Sequence, residues 1–149
     1  MVEKQIFKWL TLDMMIFAAL NAVLIVTLGD RLQGLRDIGV LQLFVLGLAV
    51  YRASNIVSNE TVTKPLRAPF VEEVEKDGKA VEEPKKSGFL GATGHLIYCP
   101  SCTGVWLAAA LVYAYALWPD RAFVIALLLA LSGMERIYAC VIGWFKALK

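Results

Sequence analysis

Apolar residues fall into four long runs, separated by short polar connections and one longer polar segment. Leu12 to Leu28 is a run of 17 residues and Ile38 to Val57 one of 20; Val105 to Trp118 has 14, or 22 when it starts at Ile97, and Ala122 to Phe145 has 24. A helix rises about 1.5 Å per residue, so about 20 apolar residues cross a hydrocarbon core about 30 Å thick. The second and fourth runs meet that length unaided, and the first does so with flexible ends. The third does so only if the segment Cys99-Pro100-Ser101-Cys102 belongs to it, which puts the cysteines on the first turn of a helix at a membrane face. The pattern predicts an all-α integral membrane protein: one four-helix domain over residues 1–149, with a polar loop over 64–93 between helices two and three.

Within that loop, "VEEVEKDGKAVEE" sets an Asp77-Gly78 pair between two Val/Glu segments. Glycine accepts the positive φ of a tight turn, so this reads as a small β-hairpin. A solvated linker is the competing reading, because a lone two-stranded hairpin is marginal in water. The six positive and six negative residues between Lys64 and Lys86 leave the segment without a net field. "SGFLGATGH" then makes a glycine-rich approach to the cysteines.

Composition supports the membrane class. The chain of 149 residues is 58% hydrophobic and 19% charged, with a mean hydropathy of +0.62, against about half and a quarter for soluble domains. A net charge of +2 without a basic-aromatic pattern argues against nucleic-acid binding. Lys4 and Lys8 before the first run look like the start of a signal peptide, but Asp13 interrupts its entrance and no small-x-small site stands near Leu28. The run is read as an uncleaved anchor. Orientation follows from Lys and Arg alone. With four spans, ten of them (Lys4, Lys8, Lys64, Arg67, Lys76, Lys79, Lys85, Lys86, Lys146 and Lys149) share one side, and three (Arg31, Arg36 and Arg121) the other. Both termini, the loop and the cysteine pair are therefore expected in the cytoplasm. Trp9 and Trp144 fall at the predicted inner edge and Trp118 at the outer one, where amphipathic rings anchor helices.

Chemistry concentrates at a few positions. Pro100 suits the first position of a helix, and Cys99 then caps it, where the helix dipole lowers a thiol's pKa. The pair admits three readings. One is a structural helix start. Another is a thiol–disulfide centre of Cys99 and Cys102. The third is a zinc site of His95, Cys99 and Cys102, with Cys140 or a second subunit closing the fourth position. A CxxC without a second CxxC does not decide among them. Three cysteines make no disulfide framework, and no Ser/His/Asp set, phosphate loop or HExxH motif can be read. Arg52, Glu135 and Arg136 lie inside predicted spans. Each costs roughly 2.5–3.5 kcal/mol unpaired at a helix centre. Their depths suggest an Arg52–Glu135 pair; the alternatives are that Arg136 takes Glu135 or that Arg52 snorkels to the headgroups.

"YRASNIVSNETVTKPLR" from Tyr51 to Arg67, with "CPSCTGVW" from Cys99 to Trp106, resembles the bacterial membrane proteins grouped as domain of unknown function 1360. Arg52, Glu60, Pro65, Leu66, Arg67, Cys99, Pro100, Cys102 and Trp106 match that pattern. Asn55 stands where a second Arg is common, and Glu60 replaces the more usual Asp. The resemblance covers roughly residues 45 to 135 and implies a membrane protein of the bacterial or phage world, associated with sporulation or with phage; it brings no activity.

The reading that unites these features is a non-enzymatic membrane component acting through its cytoplasmic face, ordered by Arg52, Glu60, Pro65, Arg67, Pro100, Trp106 and Glu135. It has no cofactor unless zinc binds the cysteines. Its partners are the lipid bilayer and either further copies of itself or another membrane protein. The competing classes are a membrane thiol–disulfide oxidoreductase and a holin-like phage lysis protein. The last requires a polar stripe along the spans, for which Asp13, Asn21, Gln42 and Glu135 are sparse.

Overall fold

The computed structural model describes residues 2–76, 79–85 and 88–147. The expected Asp77-Gly78 turn, with Lys86 and Lys149 of the charge count, lies outside the described residues. In chain order the elements are α1 (Val2–Leu32), α2 (Val40–Asn59), α3 (Lys64–Arg67), β1 (Val71–Lys76), β2 (Lys79–Pro84), α4 (Gly88–Tyr98), α5 (Pro100–Leu117) and α6 (Pro119–Ala147), with short 3-10 turns after α1 and α2. Among the described residues, four helical segments are long and apolar enough to cross a membrane: Phe7–Asp37, Val40–Asn59, Pro100–Leu117 and Pro119–Ala147.

Helix α2 sits between α5 and α6, and α1 lies against α4 and α5. Close approach of α2 and α6 follows from the residues on α6. Ala122, Ala126, Ala130 and Gly133 recur at helical spacing and are buried. They pack toward Leu46 and Ala49 of α2. Small residues let two backbones approach where no hydrophobic drive separates helix from lipid. A Cβ at Gly133 would stand 3.3 Å from the Leu48 carbonyl oxygen. The outward faces stay apolar; Leu41, Leu43 and Phe44 are exposed, as a lipid-facing surface requires.

Two expectations change in detail. The third span begins at Pro100 and holds 18 residues; Ile97 and Tyr98 belong to α4. The chain breaks at Cys99, whose extended backbone (φ −100°, ψ 105°) separates the two helices. The segment expected as a loop over 64–93 also carries structure throughout most of its length. β1 and β2 pair antiparallel, with Val74 opposite Val81 and Glu73 opposite Glu82, so the hairpin reading holds over the linker. It is followed by α4, an 11-residue helix.

Glycines hid α4 from a propensity reading and explain its packing. Gly91 and Gly94, three apart and so on one face, receive the base of the hairpin. A Cβ at Gly91 would lie 2.3 Å from the Lys85 carbonyl oxygen, and one at Gly94 2.4 Å from that of Phe70. Lys85 N–H donates to Phe70 O at 3.1 Å, so both obstacles are fixed backbone. Gly94→Ala is expected to destabilise the hairpin's seat by roughly 1–3 kcal/mol through overpacking. A Cβ at Gly143 has nothing within 4 Å among the described residues, so Gly143→Ala should instead gain up to about 1 kcal/mol of helix propensity. Hydrogen exchange over 71–84 reads the first effect, and equal exchange in the two variants would contradict it.

Candidate functional site

The end of α2 and the hairpin meet around Arg67. The turn through Pro65 in α3 brings its side chain back under α2, where it is 4% exposed. Its Nη1 donates to the carbonyl oxygens of Val57 (2.9 Å) and Glu60 (3.0 Å) and to Thr63 Oγ1 (2.8 Å). Thr63 Oγ1 in turn donates to the Ile56 carbonyl at 2.6 Å. Helix ends leave four carbonyls without an intrahelical partner; here a buried guanidinium and a hydroxyl fill that role. Arg67 Nη2 lies 3.4 Å from Glu82 Oε2, and Lys64 Nζ lies 3.0 Å from Glu82 Oε1. Burial pushes the Glu82 carboxyl up, but the hydrogen bonds from Lys64 and Arg67 outweigh it and hold the carboxyl below the usual range. These cations also offset the cross-strand Glu73–Glu82 pairing, in which like charges face one another. Tyr98 Oη donates to the Glu82 carbonyl at 2.7 Å, tying α4 to the same strand.

A second cluster lies beside it. Arg52 Nη1 forms an ion pair with Glu60 Oε1. Arg136 Nη1 reaches the same oxygen at 2.7 Å. Arg52 Nε donates to Ser132 Oγ at 2.9 Å. The expected Arg52–Glu135 pair is therefore replaced. Ser132 and Arg136, four apart, share the face of α6 turned to α2, whereas Glu135 lies about 100° round the helix from Arg136 and is exposed. Arg52 does extend toward the end of α2, as snorkelling implies, but it meets the carboxylate at the helix's own C-cap. Ser132 and Thr63 carried no signal in the sequence beyond being small polar residues near charged ones.

The cysteine pair stands at the α4–α5 break. Cys99 Sγ accepts from Cys102 N–H at 3.3 Å, and Cys102 Sγ lies 2.7 Å from Cys99 Sγ; both are free and half-buried. Hydrogen bonds from the Cys102 thiol and then its backbone N–H lower the Cys99 pKa. Thr103, next in sequence, donates to the Leu96 carbonyl at 2.9 Å and meets Ser58 of α2 at 3.5 Å. The zinc grouping is not assembled: among the described residues no three His, Cys, Asp or Glu side chains come together. His95 is exposed on α4 and Cys140 is exposed on α6. Trp106 packs edge-to-face on Phe17 of α1, with centroids 4.8 Å apart. Along α1 the stripe continues: Trp9 touches Phe89 of α4 at 6.0 Å, and Asn21 Oδ1 accepts from Tyr113 Oη of α5 at 2.9 Å. Asp13, midway between Trp9 and Phe17, is 7% exposed and its Oδ2 has no hydrogen-bond partner among the described residues.

Residues 45–142 match the family described as a protein of unknown function, DUF1360. The chain belongs to this family. The DUF1360 match takes in most of α2, the hairpin, the cysteine pair and most of α6, so both clusters lie inside it. The chain is 36% identical over 112 residues to the Sporulation protein YjcA of Bacillus subtilis (strain 168), covering 71% of this chain and 95% of that one. It is 28% identical over 106 residues to the UPF0713 protein YngL of the same organism, covering 69% and 79%. No solved structure matches the chain significantly.

Proposed function

We propose that this DUF1360 protein is a multi-pass membrane component, with both termini and the hairpin in the cytoplasm, that works by presenting the ordered hairpin face to other proteins. The observation that carries this reading is the buried Arg67, which fastens α2, α3 and β2 to one another. A connection that merely joined two spans would have no need of a buried guanidinium with both terminal nitrogens engaged. The ten-to-three distribution of Lys and Arg supports the orientation. Similarity to the Sporulation protein YjcA supports a role in sporulating cells. A lysis role is less well supported, because Asn21 and Arg52 are directed at partners on neighbouring helices and do not line an opening.

Two measurements test this. In intact cells a membrane-impermeant thiol reagent should leave Cys99, Cys102 and Cys140 unlabelled, and permeabilisation should expose them; labelling from outside reverses the orientation. A fluorescent fusion produced in sporulating Bacillus subtilis should follow the distribution of YjcA, and a different distribution removes the sporulation role.

A further inference from the structure

We propose that α6 is the contact surface for a second copy of this chain. Two α6 helices pack side by side about a two-fold axis along the membrane normal, and Glu135 of each copy pairs with Arg136 of the other.

Glu135 carries the inference. It follows the buried Ala126 by about two and a half turns, so it stands on the side of α6 opposite the α2 contact. That side is exposed and otherwise apolar, with Leu128, Leu131 and Ile142. Lipid satisfies those three side chains but not a carboxylate. A hydrocarbon core about 30 Å thick takes about 20 residues of a helix. α6 has 29, and every stretch of that length within it contains Glu135. The side chain is too short to reach the headgroups as an arginine does. Among the described residues no cation meets it. Arg136 is next in sequence, but side chains at adjacent helical positions do not face each other.

The charge balance of the neighbouring cluster is the second observation. Arg52 and Arg136 share the single carboxylate of Glu60, which leaves one positive charge in excess. Arg136 meets Glu60 through Nη1, and half of its side chain remains open. Each chain thus has an unmatched carboxylate on α6 and an unmatched positive charge about 100° round the same helix. A two-fold axis passing between them sets Glu135 of each copy against Arg136 of the other, the reciprocal contact of an isologous interface. In the single chain the open half of Arg136 has only headgroups to meet; in the pair it meets a carboxylate.

The residues between these two charges allow the backbones to approach. Around the helix that arc is occupied by Ser132, Ala139 and Gly143. Small residues at such a centre permit close packing in lipid. Ala139 is exposed, and a Cβ at Gly143 would have nothing within 4 Å among the described residues. Residues 137–147 are exposed on every face, so no described element of the same chain occupies the place of the second helix. The copies run parallel, so the pairing holds whichever membrane face α6 ends on. It and the cytoplasmic orientation therefore fail separately.

The test reconstitutes the full chain in liposomes at low density and counts copies per particle by single-molecule photobleaching. The parent should be dimeric, and a monomeric parent would overturn the pairing. Glu135→Gln should lower the dimer fraction several-fold. Ala139→Leu adds only an apolar side chain to an exposed position and should lower it likewise, whereas Gly143→Ala keeps the arc small and should not. Two charge variants with different affinity tags make the decisive comparison. Glu135→Arg puts two cations at the contact and Arg136→Glu two carboxylates, so neither should pair with itself. Co-expressed, they should co-purify as fully as two tagged copies of the parent, because every contact between copies is again opposite in charge. Misfolded chains could not give that recovery. Glu135→Arg leaves the Arg136–Glu60 contact intact, so it reports even where Arg136→Glu fails to accumulate. Dimers of Glu135→Arg or Glu135→Gln as abundant as those of the parent would overturn the part given to Glu135. Dimers unaffected by Ala139→Leu would overturn the α6 surface.

Discussion

Arg67→Ala should release the hairpin from the end of α2 and cost about 3–5 kcal/mol, the range for removing one partner from a buried charged network. The substitution leaves the carbonyls of Val57 and Glu60 without the Nη1 donor and takes one of two cations from Glu82. Thr63 retains its own bond to Ile56 O, so α2 should fray in its last turn without unwinding further. Arg67→Lys should recover only part of the loss, since one ammonium cannot span the carbonyl cluster and Glu82 as the fork does. Limited proteolysis between 60 and 85, with detergent melting, measures both. Cleavage equal to that of the parent would show that the hairpin is held without Arg67. Acid should act at the same place. Glu82 titrates below an ordinary carboxyl, so its contribution is complete above the unfolded carboxyl pKa and disappears as pH falls through the lower folded value. Protection of 71–84 against proteolysis should therefore decline on acidification, and less so in Glu82→Gln.

The four long helices were legible because the hydrocarbon requirement acts on every residue of a span, and runs such as Ala122 to Phe145 need no tertiary information. The cysteine pair's position on a first turn followed from Pro100, whose missing N–H suits only that part of a helix. The hairpin was legible as an alternative to a linker. What removes the ambiguity is external to it: Lys64 and Arg67 gripping Glu82, and glycines on α4 accepting its base. Helix α4 was not legible, because the glycines that make its packing possible are those that propensity counts against a helix. Asp13 was visible only as an interruption, and its burial depends on tertiary packing of α1 that no local pattern carries. The partner of Arg52 is hidden for a related reason. Glu135 has a suitable depth in the membrane, but rotation about α6 decides which side chains face α2. Glu60 lies outside the apolar run, eight residues after Arg52, where the chain turns and places its carboxylate within reach of the guanidinium.

Glu60 is accordingly the residue on which the intramembrane charges depend, and the expected order of effects is asymmetric. Its Oε1 serves Arg52 and Arg136 together, with Arg52 the more buried of the two; their side chains are 14% and 50% exposed. Glu60→Leu strands both cations and should be the most damaging change in the cluster, about 3–5 kcal/mol, with most of it arising at Arg52. Arg52→Leu should be milder, because Glu60 retains Arg136. Arg136→Leu should be mildest, since half of that side chain is in contact with solvent or headgroups. The double change Arg52→Leu with Glu60→Leu should cost clearly less than the sum of the two singles, as neutralising both members leaves no buried charge unpaired. Arg52→Leu with Glu135→Leu should simply add, because Glu135 is exposed on another face of α6. Unfolding in detergent or bilayer measures both cycles. Additivity in the Arg52–Glu60 cycle together with coupling in the Arg52–Glu135 cycle would reinstate pairing between spans two and four and take Glu60 out of the network.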